Sequence, residues 1–275
     1  MKREIKAEKP TPLKAPGTPR AQERELAEVA LFMVEQMSQR FRNQVFKALN
    51  QSTVEKFADA PSQGGNYAKA YLRMADRVRR KLLKQFDDKR IEELVQTILD
   101  KVNKRNRTEL YSKVEKRIGL SSLELTQTEG LMASMNALNL ETAQWVKKLR
   151  DETLEMYTAN SLRAMTQGSS LAEIMEQFDG LVEKRKNHAK FTARNQIANF
   201  NSITTKLRAQ NLGITRARWI TSHDERVREC HKKRNGKEFD LDKGLYSSCD
   251  GKWLLPGVDY QCRCDYELII PADDE

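Results

Sequence analysis

The chain has 275 residues and a formal net charge of +10, with 32% charged, 39% hydrophobic and only 7% aromatic residues. So lean an apolar fraction favours helices with one buried stripe each over a dense globular block. No apolar run approaches the roughly 18–20 residues that cross a bilayer, and the first residues lack the apolar centre of a secretory signal. A membrane partner is therefore not expected, and the chain is read as one made and used in a cytosol. The positive surplus draws polyanions, such as nucleic acid or acidic protein surfaces. No groove-reading motif accompanies it, and the densest basic stretch, Asp76 to Arg90, reads as a solvated helix face.

Residues 1–20 hold four of the seven prolines and no apolar period, so they read as an extended arm. From residue 21 the pattern turns helical. Leu26, Ala30, Met33, Met37, Phe41, Val45 and Leu49 fall three or four apart on one stripe. Pro61 and the Gly64–Gly65 pair are read as a break. A second stripe runs through Leu72, Ala75, Val78, Leu82, Phe86, Leu94, Ile98 and Val102. The polar stretch from Asn103 to Thr108 reads as a turn, followed by a short helix on Leu110, Val114 and Ile118 that ends near Gly119.

Ser122 is the expected cap of the next segment. Leu131, Met135 and Leu138 form a short stripe, and Ala143, Val146, Arg150, Leu154, Tyr157 and Leu162 a longer one stopped by Gly168. Ser170 and Glu173 have the spacing of a capping box. The helix they open is expected to stop at Asp179–Gly180. A last helix, from about Glu183 to Asn211, carries Phe191, Ile197, Phe200, Ile203 and Leu207 and ends at Gly213. The fold class read from this pattern is mainly α. An elongated helical bundle is followed by a small C-terminal α+β module with two or three short strands. The expected division is an arm over 1–20, a helical domain over 21–180, a module with its leading helix over 181–271, and a tail over 272–275.

Within the module the helical period is lost. Ala217, Trp219 and Thr221 alternate with polar neighbours as in a strand. A second strand is expected at 237–239, after the turn pair Asn235–Gly236, and a third at 266–270. The chain's four cysteines, Cys230, Cys249, Cys262 and Cys264, all lie here, as do His223 and His231. Three states of the thiols are open: a four-thiolate zinc site with His231 in reserve, one or two disulfides, or free buried thiols. Zinc is the candidate cofactor. Asp224, Arg226 and Arg228 sit at alternate positions and read first as a charged latch. A catalytic alternative uses His231 as acid or base, oriented by Asp224, in a small nuclease or transferase. No nucleophile motif and no phosphate-cradling glycine loop supports it.

Trp219-x-Thr221, Asp224-Glu225-Arg226-Val227-Arg228, His231, Gly236, Pro256-Gly257 and Cys262-Arg263-Cys264, in that order, resemble a known signature. It is the C-terminal signature of the phage head morphogenesis family, the Mu F-like minor head proteins. The resemblance implies a minor structural component of a tailed-phage head. Its implied partners are portal protein and capsid or scaffold protein, with double-stranded DNA as a further candidate. It implies residence in the virion, inside the head near the portal, and in the host cytoplasm during assembly. It also implies a role in head assembly, DNA packaging or delivery. A plain DNA-binding adaptor is the remaining alternative. Cys230 and Cys249 stand outside the core signature.

Overall fold

The computed structural model describes residues 4–46, 64–127 and 129–272. The elements in order are β1 (Thr11–Lys14), α1 (Arg20–Phe41) with a π-helical continuation over Arg42–Phe46, α2 (Gly64–Gln85), α3 (Asp88–Ile118), α4 (Ser122–Gln127), α5 (Met132–Thr166) and α6 (Leu171–Asn211). There follow β2 (Arg216–Ile220), the short α7 (Glu229–Lys232), β3 (Glu238–Asp240), β4 (Leu245–Ser247), β5 (Lys252–Leu254) and β6 (Asp265–Ile270). The fold is mainly α with a small antiparallel β module near the C-terminus. Among the described residues no helix is long and apolar enough to cross a membrane.

The chain divides into two compact units that cut across the linear division expected from sequence. One comprises Met1–Arg24, Gln96–Thr142 and Arg194–Glu275; the other comprises Glu25–Val95 and Ala143–Ala193.

The second unit is helical. Leu26, Ala30, Met33, Met37, Phe41 and Val45 are buried as the first stripe requires, and Leu49 and Pro61 lie outside the described residues. Phe41, Tyr157 and Phe178 form an aromatic core with ring centroids 4.6–6.3 Å apart. The second stripe is off by one position at two sites. Leu72 and Leu94 are 41% and 40% exposed, while their neighbours Tyr71 and Val95 are buried. The stripe is also interrupted, because α2 ends at Gln85 and α3 starts at Asp88. Asp87 opens α3 by accepting the Arg90 backbone N–H at 2.9 Å. The buried Arg150 donates to the Phe86 carbonyl at 2.7 Å and to Asp88 at 2.8 Å. That distant side chain satisfies the helix end left open at the junction. Gly64–Gly65, read as a break, instead begin α2.

The capping box closes as expected: Ser170 N–H donates to Glu173 at 2.7 Å, and Glu173 N–H donates to Ser170 Oγ at 3.3 Å. The helix does not stop at Asp179–Gly180. Gly180 lies inside α6, between the buried Phe178 and Val182. Glycine costs about 1 kcal/mol against alanine in a helix, less than two buried side chains contribute.

In the first unit the strands make a sheet in the order β1-β6-β2-β3, all neighbours antiparallel, and β4 and β5 pair separately. Ala217 and Trp219 of β2 face inward, and Arg218 on the other face pairs with Glu238 at 3.0 Å. The expected arm is extended, but it lies on its own chain. Leu13 pairs with Leu268, Ile5 N–H donates to Leu212 O at 2.9 Å, and Ile5, Leu13 and Ala15 are buried. The α6 helix ends at Gly213 (φ +78°), where Ile214 N–H reaches back to Ala209 O and Gly213 N–H to Gln210 O. This is the paired closure expected of a left-handed C-terminal glycine.

Asn103 to Thr108, read as a turn, is helical within α3. Its polarity serves a buried network. Arg208 of α6 is fully buried and donates to Asn103, to Asn106 at 2.6 Å and to Glu129 at 2.8 Å. Asn106 donates in turn to Asn201 at 2.9 Å and Thr205 at 2.7 Å.

Candidate functional site

The signature residues converge around β2, α7 and the loop that enters β6. Trp219 is fully buried by the alternation of β2, and its ring meets His231 edge-on at 5.7 Å. The Arg234 guanidinium lies over the Trp219 ring at 4.8 Å. Arg234 is itself buried, and neither Nη1 nor Nη2 has a hydrogen-bond partner among the described residues.

His231 sits on α7 and is 2% exposed. Its Nε2 lies 3.2 Å from Asp259 Oδ2. An ionised carboxylate only accepts, so this contact places the imidazole proton on Nε2 and leaves the Nδ1 lone pair free. Nδ1 faces two sulfurs, Cys262 Sγ at 3.5 Å and Cys264 Sγ at 3.4 Å. Asp259 also accepts from Arg228 Nη1 at 2.8 Å, and Arg228 donates further to the Tyr260 carbonyl. Cys262 Sγ receives the backbone N–H groups of Gly257 and Cys264, each at 3.4 Å. The hydrogen bond from Cys264 holds the Cys262 thiol down to about 5, with the two backbone amides adding to it against the cost of burial. Cys264 is pushed well above the usual thiol range by Cys262 and by burial.

The Pro256–Gly257 step shapes this loop. Ser202 Oγ donates to the Pro256 carbonyl at 2.7 Å, and Gly257 takes φ +83°, which favours glycine. Gly236 (φ +77°) makes the turn before β3, and Asn235 Oδ1 accepts the Thr221 N–H at 3.0 Å.

Two sequence expectations are corrected. The four cysteines are not gathered into one thiolate set: Cys230 and Cys249 are joined by a disulfide, and Cys262 and Cys264 are free and buried. Asp224 does not orient His231. It accepts from the Arg226 backbone N–H and from the Arg263 guanidinium, both at 2.9 Å, and so closes its own loop. The latch reading of Asp224 describes these contacts, and the Arg226 side chain is exposed. Asp259 and Arg234, central to the geometry, were not singled out from sequence. Only their positions before C-x-C and before Asn235–Gly236 could have marked them.

Reducing the Cys230–Cys249 bond is expected to lower the unfolding free energy by about 3 kcal/mol, the loop-closure value for a loop of this size. The bridged residues are 19 apart in sequence. Urea unfolding with and without reductant measures it, and the Cys230→Ala, Cys249→Ala double variant should abolish the difference.

Residues 155–267 match the family model described as Phage Mu protein F like protein. Over that region the chain is similar to the Mu F-like family. The matched region holds every signature residue from Trp219 to Cys264, and β1 lies outside it. An uncharacterized protein of Haemophilus influenzae is 26% identical over 237 residues, 84% of this chain and 50% of its own length. An NAD(+)–arginine ADP-ribosyltransferase of Enterococcus faecalis is 29% identical over 126 residues, 42% of this chain and 26% of its own length. The chain therefore spans half of one curated relative and about a quarter of the other. No solved structure gives a significant match.

Proposed function

We propose that the chain is a minor structural protein of a tailed-phage head, which associates with portal or procapsid protein and assists head assembly or DNA packaging. The observation that carries this reading is the Mu F-like match over residues 155–267. The site geometry supports architecture over turnover. Asp224 is committed to Arg263, Asp259 is committed to Arg228 and His231, and a disulfide ties Cys230 to Cys249. A catalytic pair of Asp224 with His231 would need the two in mutual reach, and they hold separate partners. The transferase name belongs to a protein of which this chain spans about a quarter. Quantitative mass spectrometry of purified procapsids and mature heads tests the proposal. It predicts a few copies per particle against hundreds of the major shell protein. Absence from both particles would refute it.

Contact with packaged DNA is a second reading, favoured by one face of α3. Lys101, Lys104, Arg105, Lys113 and Lys116 line a shallow cleft there. Glu109 offsets part of this charge, pairing with Lys113 at 2.7 Å. Each phosphate neutralised steepens the salt dependence of duplex binding by about 0.9 log units per log unit of salt. Lys104→Gln with Lys116→Gln should flatten that slope, and an unchanged slope would remove this face from the reading.

A further inference from the structure

We propose that His231 Nδ1, Cys262 Sγ and Cys264 Sγ form a three-ligand zinc site, with Asp259 positioning the imidazole through Nε2.

The first argument is convergence. All three ligand atoms lie within 4.8 Å of one another, and the two N···S edges are 3.5 and 3.4 Å. Tetrahedral zinc with Zn–S about 2.3 Å and Zn–N about 2.0–2.1 Å gives N···S edges of roughly 3.6 Å. Hydrogen bonding alone accounts for these contacts poorly. A neutral imidazole whose Nε2 carries the proton offers one lone pair at Nδ1, enough for one S–H donor. Two sulfurs share that lone pair, and a cation at the common point satisfies all three atoms.

The second argument is the shell around the ligands. Metal-bound histidine ordinarily donates its other N–H to a carboxylate, and Asp259 stands at Nε2 for that purpose. The amides of Gly257 and Cys264 point at Cys262 Sγ, as donors that stabilise a thiolate do.

The same geometry excludes the neighbouring candidate. His231, Asp250 and Asp259 also lie close together, but the Arg228 guanidinium fills that side, 2.8 Å from Asp259 and 4.0 Å from Asp250. A fixed cation there repels a second one. Two thiolates and an imidazole suit zinc in preference to magnesium or calcium. The fourth position falls to water or hydroxide, and thiol protons leave to solvent as the metal enters. The site stands apart from the head-assembly reading and is tested without particles.

The experiment uses the full chain with its Cys230–Cys249 bond intact, dialysed against buffered Zn2+ and, separately, Co2+. The expected result is one metal per chain, with cobalt showing a tetrahedral spectrum and a thiolate charge-transfer band of two-sulfur intensity. Cys262→Ser and Cys264→Ser should each lose the metal. Cys230→Ser with Cys249→Ser should retain it. Asp259→Asn leaves all three ligands in place and should weaken zinc by about 10–100-fold. Circular dichroism verifies that each variant is folded. A folded wild-type chain that takes up no zinc at micromolar free metal would overturn the proposal. So would a four-sulfur cobalt spectrum, or metal lost with Cys230 and Cys249 but kept without Cys262. Unchanged zinc affinity in Asp259→Asn would overturn the role given to Asp259.

Discussion

Replacing Arg208 with alanine is expected to lower the unfolding free energy by about 3–5 kcal/mol, the range for breaking a buried ion pair from one side. Arg208 is 0% exposed, and its partner Glu129 has a side chain only 7% exposed. The guanidinium also serves the side-chain oxygens of Asn103 and Asn106. Alanine would leave a carboxylate and two amide oxygens short of a donor, with Arg107 at 3.9 Å too distant to replace it fully. Burial pushes the Arg208 pKa down, and the Glu129 carboxylate opposes this, so the charge is held in place by its partners. Arg208→Met with Glu129→Gln should recover part of the loss, because it removes both charges together. Urea unfolding of the wild type and these two variants measures the loss and its recovery. A single-variant loss below about 1 kcal/mol, the range of an exposed pair, would contradict the network as described.

Deleting residues 1–15 is expected to cost on the order of 5 kcal/mol and to unfold much of the sheet-bearing unit at ambient temperature. Ile5 and Leu13 are buried at 1% and 6% exposure, and each such side chain contributes about 1.5–3 kcal/mol. The deletion also removes the whole ladder from β1 to β6, and uncovers Leu268 and Ile270 along an open strand edge. The expected readouts are slower-migrating, aggregation-prone protein and lost near-ultraviolet signal from Trp219. Wild-type stability in the truncated chain would return these residues to the status of a loose arm.

These two features mark where sequence reading stopped. The periodic helices were legible because burial repeats every three or four residues, as at Leu26, Ala30, Met33 and Met37. The capping box at Ser170 was legible because both partners lie within one turn. Asn103 and Asn106 were read as a turn because their partner Arg208 is about a hundred residues away, and nothing local marks it. Residues 11–14 carry too short a pattern to read as a strand, and their pairing with β6 closes almost the whole chain length. The break at Asp87 has no glycine or proline, while Gly180 is a glycine without a break.

The candidate site was half legible. His231, Cys262 and Cys264 were drawn by residue type, as chemistry-bearing side chains are. The division of the cysteines into one bridge and one free pair depends on which loops meet, and spacing does not encode that. Asp259 and Arg234 are ordinary charged residues in sequence, and burial alone gives them a role.

The most direct test of the functional account is co-expression of this chain with a tailed-phage portal protein, followed by native mass spectrometry of the complex. The account predicts a stable complex, with copies of the chain bound in fixed ratio to the portal ring. A chain that stays apart from portal, procapsid and mature head alike, while portal and shell assemble normally, would contradict it.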